Sequence, residues 1–145
     1  MRFYLLVGNT NGKHVAYPMS AIQQLIQQKN DLDKIPTEQE VLDGDFVRDG
    51  KWEWVEIRQE LTVAESDKIE SAITVPDAAM PSGKRRDGDK YWVHAFLTVA
   101  EAWSFDKPLN KKSFDELPLS VGSVILDRVV DIVFGTTDLD AFMNP

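Results

Sequence analysis

The chain has no cysteine and only two histidines among its 145 residues. Without cysteine there are no disulfides, thiolate metal sites or cysteine nucleophiles, which is typical of proteins in a reducing compartment. His14 and His94 are far apart in the sequence, and neither has a second ligand at a metal-binding spacing. We therefore expect no metal, no cofactor and no catalytic residue, and the chain is predicted not to be an enzyme.

Long apolar runs and excess positive charge are also missing. The apolar run at residues 3–7 is too short for a membrane span or a signal-peptide core. The chain has 16 Lys and Arg against 24 Asp and Glu, which gives a net charge of −8. Because a nucleic-acid binder must neutralise phosphates with basic side chains, this balance argues against nucleic acid as a partner. We expect a cytoplasmic protein that binds neither nucleic acid nor a membrane.

Three short motifs resemble ligand-binding loops but are incomplete. Residues 43–45 and 87–89 are both Asp-Gly-Asp, with carboxylates two positions apart as in calcium loops, but the remaining ligands are absent. Residues 8–13 have the glycines of a phosphate loop without its Gly-Lys-Ser/Thr ending. These motifs indicate turns and a helix cap.

The first fifty residues carry signals for a hairpin followed by short helices. Residues 2–7 are aromatic and aliphatic, and the Asn-Gly turn after them predicts a return strand at residues 14–17. Pro18 ends that strand, and Ser20 stands at a helix N-cap position before a stripe of apolar residues. Residues 37–40 have the form of a capping box and predict a short helical turn.

Residues 51–59 alternate in a way that predicts a β-strand. Trp52 and Trp54 share one face, and Val55 and Ile57 share the other. Tryptophan is enriched at the centres of protein interfaces, so Trp52 and Trp54 are candidate partner-binding residues. The alternative is that both side chains pack in the core.

The remaining chain is predicted to form three helices. A capping box at Thr62 opens a helix over residues 63–73, and a long Gly- and Pro-rich loop follows at residues 74–89. The second helix runs to Trp103, and the third covers residues 119–134. The core is expected to centre on three aromatic residues of the second helix and three aliphatic residues of the third: Trp92, Phe96, Trp103, Ile125, Val129 and Ile132.

These elements predict an α+β fold, with a mostly helical C-terminal part of three helices, an N-terminal β-hairpin and one further strand. We expect one domain over residues 1–145. Residues 1–50 form a hairpin and helix attachment, residues 51–135 the main helical part, and residues 136–145 a tail.

The tail has a short apolar pattern among acidic residues. Leu139, Phe142 and Met143 have the spacing of a short amphipathic turn, and they are candidate partner-binding residues. They are predicted to dock into a groove on a partner, or on a second copy of the chain in a homo-oligomer. The alternative is that the tail folds back over its own domain.

Residues 51–133 contain several short motifs, namely Trp54-Val55-Glu56-Ile57-Arg58, Leu61-Thr62, Glu65, Ala102-Trp103-Ser104-Phe105 and Leu117-Pro118. Together these motifs resemble those of tail assembly chaperones of long-tailed bacteriophages. The resemblance implies a mostly helical, non-enzymatic protein of the host cytoplasm that binds the tape measure protein during tail morphogenesis, before the tail tube polymerises. It also implies a longer, frameshifted product. The alternative function is a structural virion protein such as a head–tail adaptor or tail accessory protein.

Overall fold

A computed structural model describes residues 1–135, which form an α+β fold around a four-stranded antiparallel sheet with strand order β2-β1-β3-β6. The strands are β1 (Arg2–Thr10), β2 (Lys13–Pro18), β3 (Lys51–Ile57), β4 (Thr74–Pro76), β5 (Lys84–Arg86) and β6 (Ala100–Trp103). The helices are α1 (Met19–Lys29), α2 (Glu38–Asp43), α3 (Val63–Ile73), α4 (Tyr91–Val99), α5 (Lys111–Asp115) and α6 (Leu119–Phe134), with a 3-10 turn at Gly88–Lys90. The predicted α+β class is confirmed.

The N-terminal hairpin forms as the sequence predicts. Asn11 and Gly12 have φ angles of 53° and 80°, the left-handed values that a two-residue hairpin turn needs. β1 pairs with β2 on one side and with β3 on the other. The hairpin therefore supplies a central strand of the sheet.

Two of the predicted helix caps form in the structure. Thr37 and Thr62 each complete a capping box with the glutamate three residues later, and they open α2 and α3. The prediction for Ser20 is wrong, because α1 already begins at Met19, with Pro18 at its N-cap. The fixed φ of proline suits that position, and the buried Met19 side chain holds the first turn against the sheet.

The predicted helix through Trp103 is too long. α4 ends at Val99, and residues 100–103 continue as β6 along the edge of β3, with Val55 opposite Trp103. Either conformation turns Trp103 toward the same core, so apolar spacing alone does not separate them. Pairing with β3 favours the strand, since the N–H of Ser104 then donates to the carbonyl of Trp54 at 2.9 Å.

Residues 74–89 also differ from the predicted irregular loop, because β4 and β5 pair as a short hairpin. Two of its arginines are held by ion pairs. Arg86 donates to both carboxylate oxygens of Glu70, at 2.7 and 2.9 Å, and Arg85 lies 3.4 Å from Asp77. The Glu70–Arg86 pair joins residues 16 positions apart, so it has no signature in local sequence.

The main core lies between one face of the sheet and helices α4 and α6. Phe96, Ile125 and Val129 are fully buried there, and Trp103 is nearly so, as predicted. The prediction for Trp92 is wrong. Its half-buried ring packs edge-on against Phe134, with 4.6 Å between ring centroids, and lies outside this core.

A second apolar cluster covers part of the opposite sheet face. It joins Leu6 of β1 to the buried side of α1 and to Val41 of α2. The α1 residues in it are Met19, Ile22 and Ile26, which follow helical spacing. The sheet is therefore covered on both faces, with α1 and α2 on one and α4 and α6 on the other.

Arg58, just after β3, joins three elements. Its guanidinium donates to the Glu65 carboxylate of α3 at 3.1 and 2.5 Å, and to the carbonyl of Thr98 in α4 at 3.0 Å. The bond from Arg58, together with one from the N–H of Thr62, lowers the pKa of Glu65 from 4.5 to about 2.

The low pKa of Glu65 predicts a pH-dependent contribution to stability. A carboxyl whose pKa is lower in the folded state contributes fully above its unfolded pKa, and the contribution is lost as pH falls from about 4.5 to about 2. Glu65→Gln should therefore melt below the parent at pH 7, and the gap should narrow across that window. Thermal unfolding from pH 2 to 7, with Glu60→Gln as an exposed control, checks this. A gap that stays constant with pH would contradict it.

Candidate functional site

An open apolar groove runs along α1 on the side that faces residues 46–49. Its volume is about 570 Å³. The floor includes the buried Leu6, Ile22 and Ile26. The rim carries three large apolar side chains that are nearly half exposed, namely Tyr17 at 48%, Leu25 at 46% and Phe46 at 44%. We call this site the α1 groove.

Helical spacing in α1 supplies one wall of the α1 groove. Ala21, Ile22, Leu25, Ile26 and Lys29 recur at intervals of one, three, one and three, so they lie along one stripe of the helix. The sheet and α2 cover only part of that stripe. Leu25 remains at the open edge.

Two glycines let the segment between α2 and β3 form the other wall. Gly50 has a φ of 112°, and a Cβ there would lie 3.0 Å from the Leu6 side chain. At Gly44 a Cβ would lie 2.7 Å from the Phe46 ring. Glycine is therefore needed at both positions for the segment to pack closely against β1 and for Phe46 to take its place at the rim.

The charges at the groove differ from those of the chain as a whole. Among residues 1–135, Lys29 and Arg48 line it together with one carboxylate, that of Asp49. The local balance is thus positive, while the chain carries −8. An apolar segment flanked by acidic residues matches both the floor and these cations.

The predicted partner-binding tryptophans lie elsewhere. Trp52 packs against the second apolar cluster, and Trp54 lies beneath the guanidinium of Arg2, 3.8 Å from its ring centroid. Arg2 is held in place by Glu56 at 3.3 Å. Both tryptophans are half-buried, and neither lines the α1 groove.

Leu139, Phe142 and Met143, the other predicted partner-binding residues, lie outside the described residues. The groove residues Tyr17, Leu25 and Phe46 were not identified from the sequence. One signal was available. Phe46 is a large aromatic residue in an Asp- and Gly-rich connection, where a polar side chain is usual.

A smaller cleft lies on the other side of α1, toward α6. Its volume is about 330 Å³. Four charged residues of the described chain line it, namely Glu38, Asp127, Arg128 and Asp131.

Within residues 1–135, no three potential metal-binding side chains come together. No helix in that range is long and apolar enough to cross a bilayer.

The two histidines lie away from the α1 groove. His14 is exposed on β2, where its carbonyl accepts a hydrogen bond from the Ser120 hydroxyl at 2.8 Å. His94 is half-buried on α4. The α1 groove is thus the best candidate for a functional site in the described part of the chain.

No protein-family model, curated protein or solved structure matches this chain.

Proposed function

We propose that this chain is a non-enzymatic tail assembly chaperone of a long-tailed bacteriophage, which binds the tape measure protein in the host cytoplasm during tail morphogenesis. The α1 groove is the observation that supports this proposal most directly. It exposes three large apolar side chains around one concave site on an otherwise acidic chain. Exposed apolar patches of this kind mark interaction sites.

The shape of the groove suits a short amphipathic helix. α1 has 11 residues and is therefore about 16 Å long. A partner helix of about three turns can lie beside it and insert apolar side chains at positions i, i+3, i+4 and i+7. Acidic residues flanking those anchors would pair with Lys29 and Arg48.

The groove also supports reversible binding, which a chaperone that releases its partner needs. Complete burial of a large apolar side chain contributes about 1.5–3 kcal/mol. Tyr17, Leu25 and Phe46 are already about half covered, so a partner gains only part of this at each position.

We expect Leu25→Glu to reduce binding to the tape measure protein at least about tenfold, because it places a carboxylate in the apolar contact. The measurement is the amount of tape measure protein that co-purifies after co-expression in the same cells. Leu119→Glu is the control for the substitution itself. It makes the same change at the exposed start of α6, outside the groove.

Leu119→Glu should unfold within about 0.5 kcal/mol of the parent, whereas Leu25→Glu should cost about 1 kcal/mol, because Leu25 is half covered by its own chain. Unchanged binding by Leu25→Glu would contradict the proposed site.

Analysis of the protein content of purified virions tests the alternative function. A chaperone is absent from them, whereas a head–tail adaptor or tail accessory protein is present in fixed copy number.

A further inference from the structure

We propose that residues 45–49 form a hinged flap, which moves away from β1 so that an apolar side chain of a partner can reach the floor of the α1 groove. We call residues 45–49 the flap. In the closed position, which the structure shows, it is part of the groove wall opposite α1. The role of the flap in partner binding rests on the proposed function, while its motion does not.

The main chain of the flap is not hydrogen-bonded to the main chain of any other part of residues 1–135. Its five residues belong to no helix or strand. The chain is fixed on both sides of it, because the N–H of Gly44 donates to the carbonyl of Glu40 at 3.0 Å, and Lys51 pairs with Val7 in the sheet. Segments without such bonds open more easily than the rest of a fold, so the flap can move while its ends stay in place.

One side chain holds the flap against the fold. Val47 is half-buried and packs on the second apolar cluster, whereas the other four flap residues are exposed. Asp45, Arg48 and Asp49 form no ion pair with the described part of the chain. The closed position therefore depends on the contact between Val47 and that cluster.

A glycine stands at each end of the flap, where a hinge needs backbone freedom. Gly50 has a φ of 112°, a conformation that residues with a Cβ rarely adopt. Gly44 leaves room for the ring of Phe46, which lies close against it. Because glycine has access to more φ and ψ angles than any other residue, rotation at these two positions can move the residues between them as a unit.

Opening of the flap uncovers the floor of the α1 groove. Val47 shares its apolar cluster with Leu6, Ile22 and Ile26, which belong to that floor. Without a ligand, opening exposes these apolar side chains to water, so the closed position is favoured. A partner's apolar side chain that takes the place of Val47 restores the contact and favours the open position.

Thiol labelling tests the motion, because the chain has no cysteine of its own. The test variant is Leu6→Cys, in the floor beside Val47 and Gly50. The matched control is Leu5→Cys, at the preceding residue of the same strand, which faces the main core beneath α4 and α6. Both leucines are buried, at 7% and 0% exposure, so a bulky aromatic disulfide reagent reaches either position only when the protein opens.

We expect Leu6→Cys to be labelled at least about tenfold faster than Leu5→Cys in the absence of urea. Low urea should leave the rate for Leu6→Cys nearly unchanged, since opening of the flap exposes little surface. The rate for Leu5→Cys should rise steeply with urea, because it requires global unfolding. Mass spectrometry after quenching gives both rates. Equal rates, or the same urea dependence at both positions, would overturn the proposal.

Val47→Ala tests the contact that holds the flap closed. It should raise the labelling rate of Leu6→Cys several-fold without urea, because a smaller side chain packs less apolar surface on the cluster. Val63→Ala, the same change at an exposed position of α3, should leave that rate unchanged. If Val47→Ala raises labelling of Leu5→Cys by the same factor, it acts on the whole fold, and the flap is disproved.

Partner binding separates this inference from the proposed function. Val47→Ala should bind the tape measure protein several-fold more tightly, since the fraction of open flaps rises. Unchanged binding would remove the role of the flap in binding. Fast labelling of Leu6→Cys without any tape measure binding would leave the motion standing and remove the proposed function. Loss of binding in Leu25→Glu, with Leu6→Cys labelled no faster than Leu5→Cys, would do the reverse.

Discussion

Trp103→Ala should lower the free energy of unfolding by about 3–5 kcal/mol, the range for truncating a buried aromatic residue. Trp103 is only 9% exposed. Its ring packs beside Phe96 and edge-on against Phe105, and its indole N–H donates to the carbonyl of Lys107 at 2.7 Å. A loss of this size is a large share of the stability of a small domain.

Urea unfolding measures the effect, and Trp54→Ala is the matched control from the opposite face of the sheet. Trp54 is half-buried under Arg2, so its truncation should cost less, about 1–2 kcal/mol. Trp103→Phe, which keeps an aromatic ring in the core, should lie between the parent and Trp103→Ala. If Trp103→Ala unfolds at the same urea concentration as the parent, the packing of β6 described above is wrong.

Ser104→Ala should cost about 2–4 kcal/mol, although it removes a single oxygen atom. The Ser104 hydroxyl donates to the buried carboxylate of Glu53 and accepts the N–H of Trp54 at 2.7 Å. Without it, that N–H loses its acceptor, and within the described part of the chain Glu53 keeps only its ion pair with Lys51, at 3.2 Å. The penalty comes from polar groups left buried without partners.

A double-mutant cycle with Glu53→Gln tests this explanation. Because Glu53→Gln removes the buried negative charge, the combined variant should lose less than the sum of the two single losses. Ser120→Ala provides the comparison for an exposed hydroxyl, since its bond to the carbonyl of His14 lies at the surface. A cost for Ser104→Ala no greater than that for Ser120→Ala would contradict the role assigned to this hydroxyl.

The α1 groove was only partly predictable from sequence. Leu25 belongs to a recognisable apolar stripe on α1, and this stripe predicts that the residue faces other apolar groups. Sequence spacing does not say whether those groups belong to the same chain. Here the second cluster covers Ile22 and Ile26 but leaves Leu25 at the rim.

Local signals determined the elements whose formation depends on neighbouring residues. The turn at Asn11 and Gly12 follows from backbone φ preferences, and the capping boxes at Thr37 and Thr62 follow from hydrogen bonds spanning three residues. Alternation in residues 51–57 likewise predicts β3 and its two faces. Each of these interactions closes within one turn or one strand, so the sequence alone contains it.

Tertiary structure decided the features that join distant residues. β6 is a strand because the edge of β3, some 45 residues earlier, offers backbone partners to Ala100–Trp103. The groove exists because Gly50 lets the segment before β3 pack closely on β1, opposite α1. In both cases the deciding contact is with chain far away in sequence, and no pattern within the local segment records it.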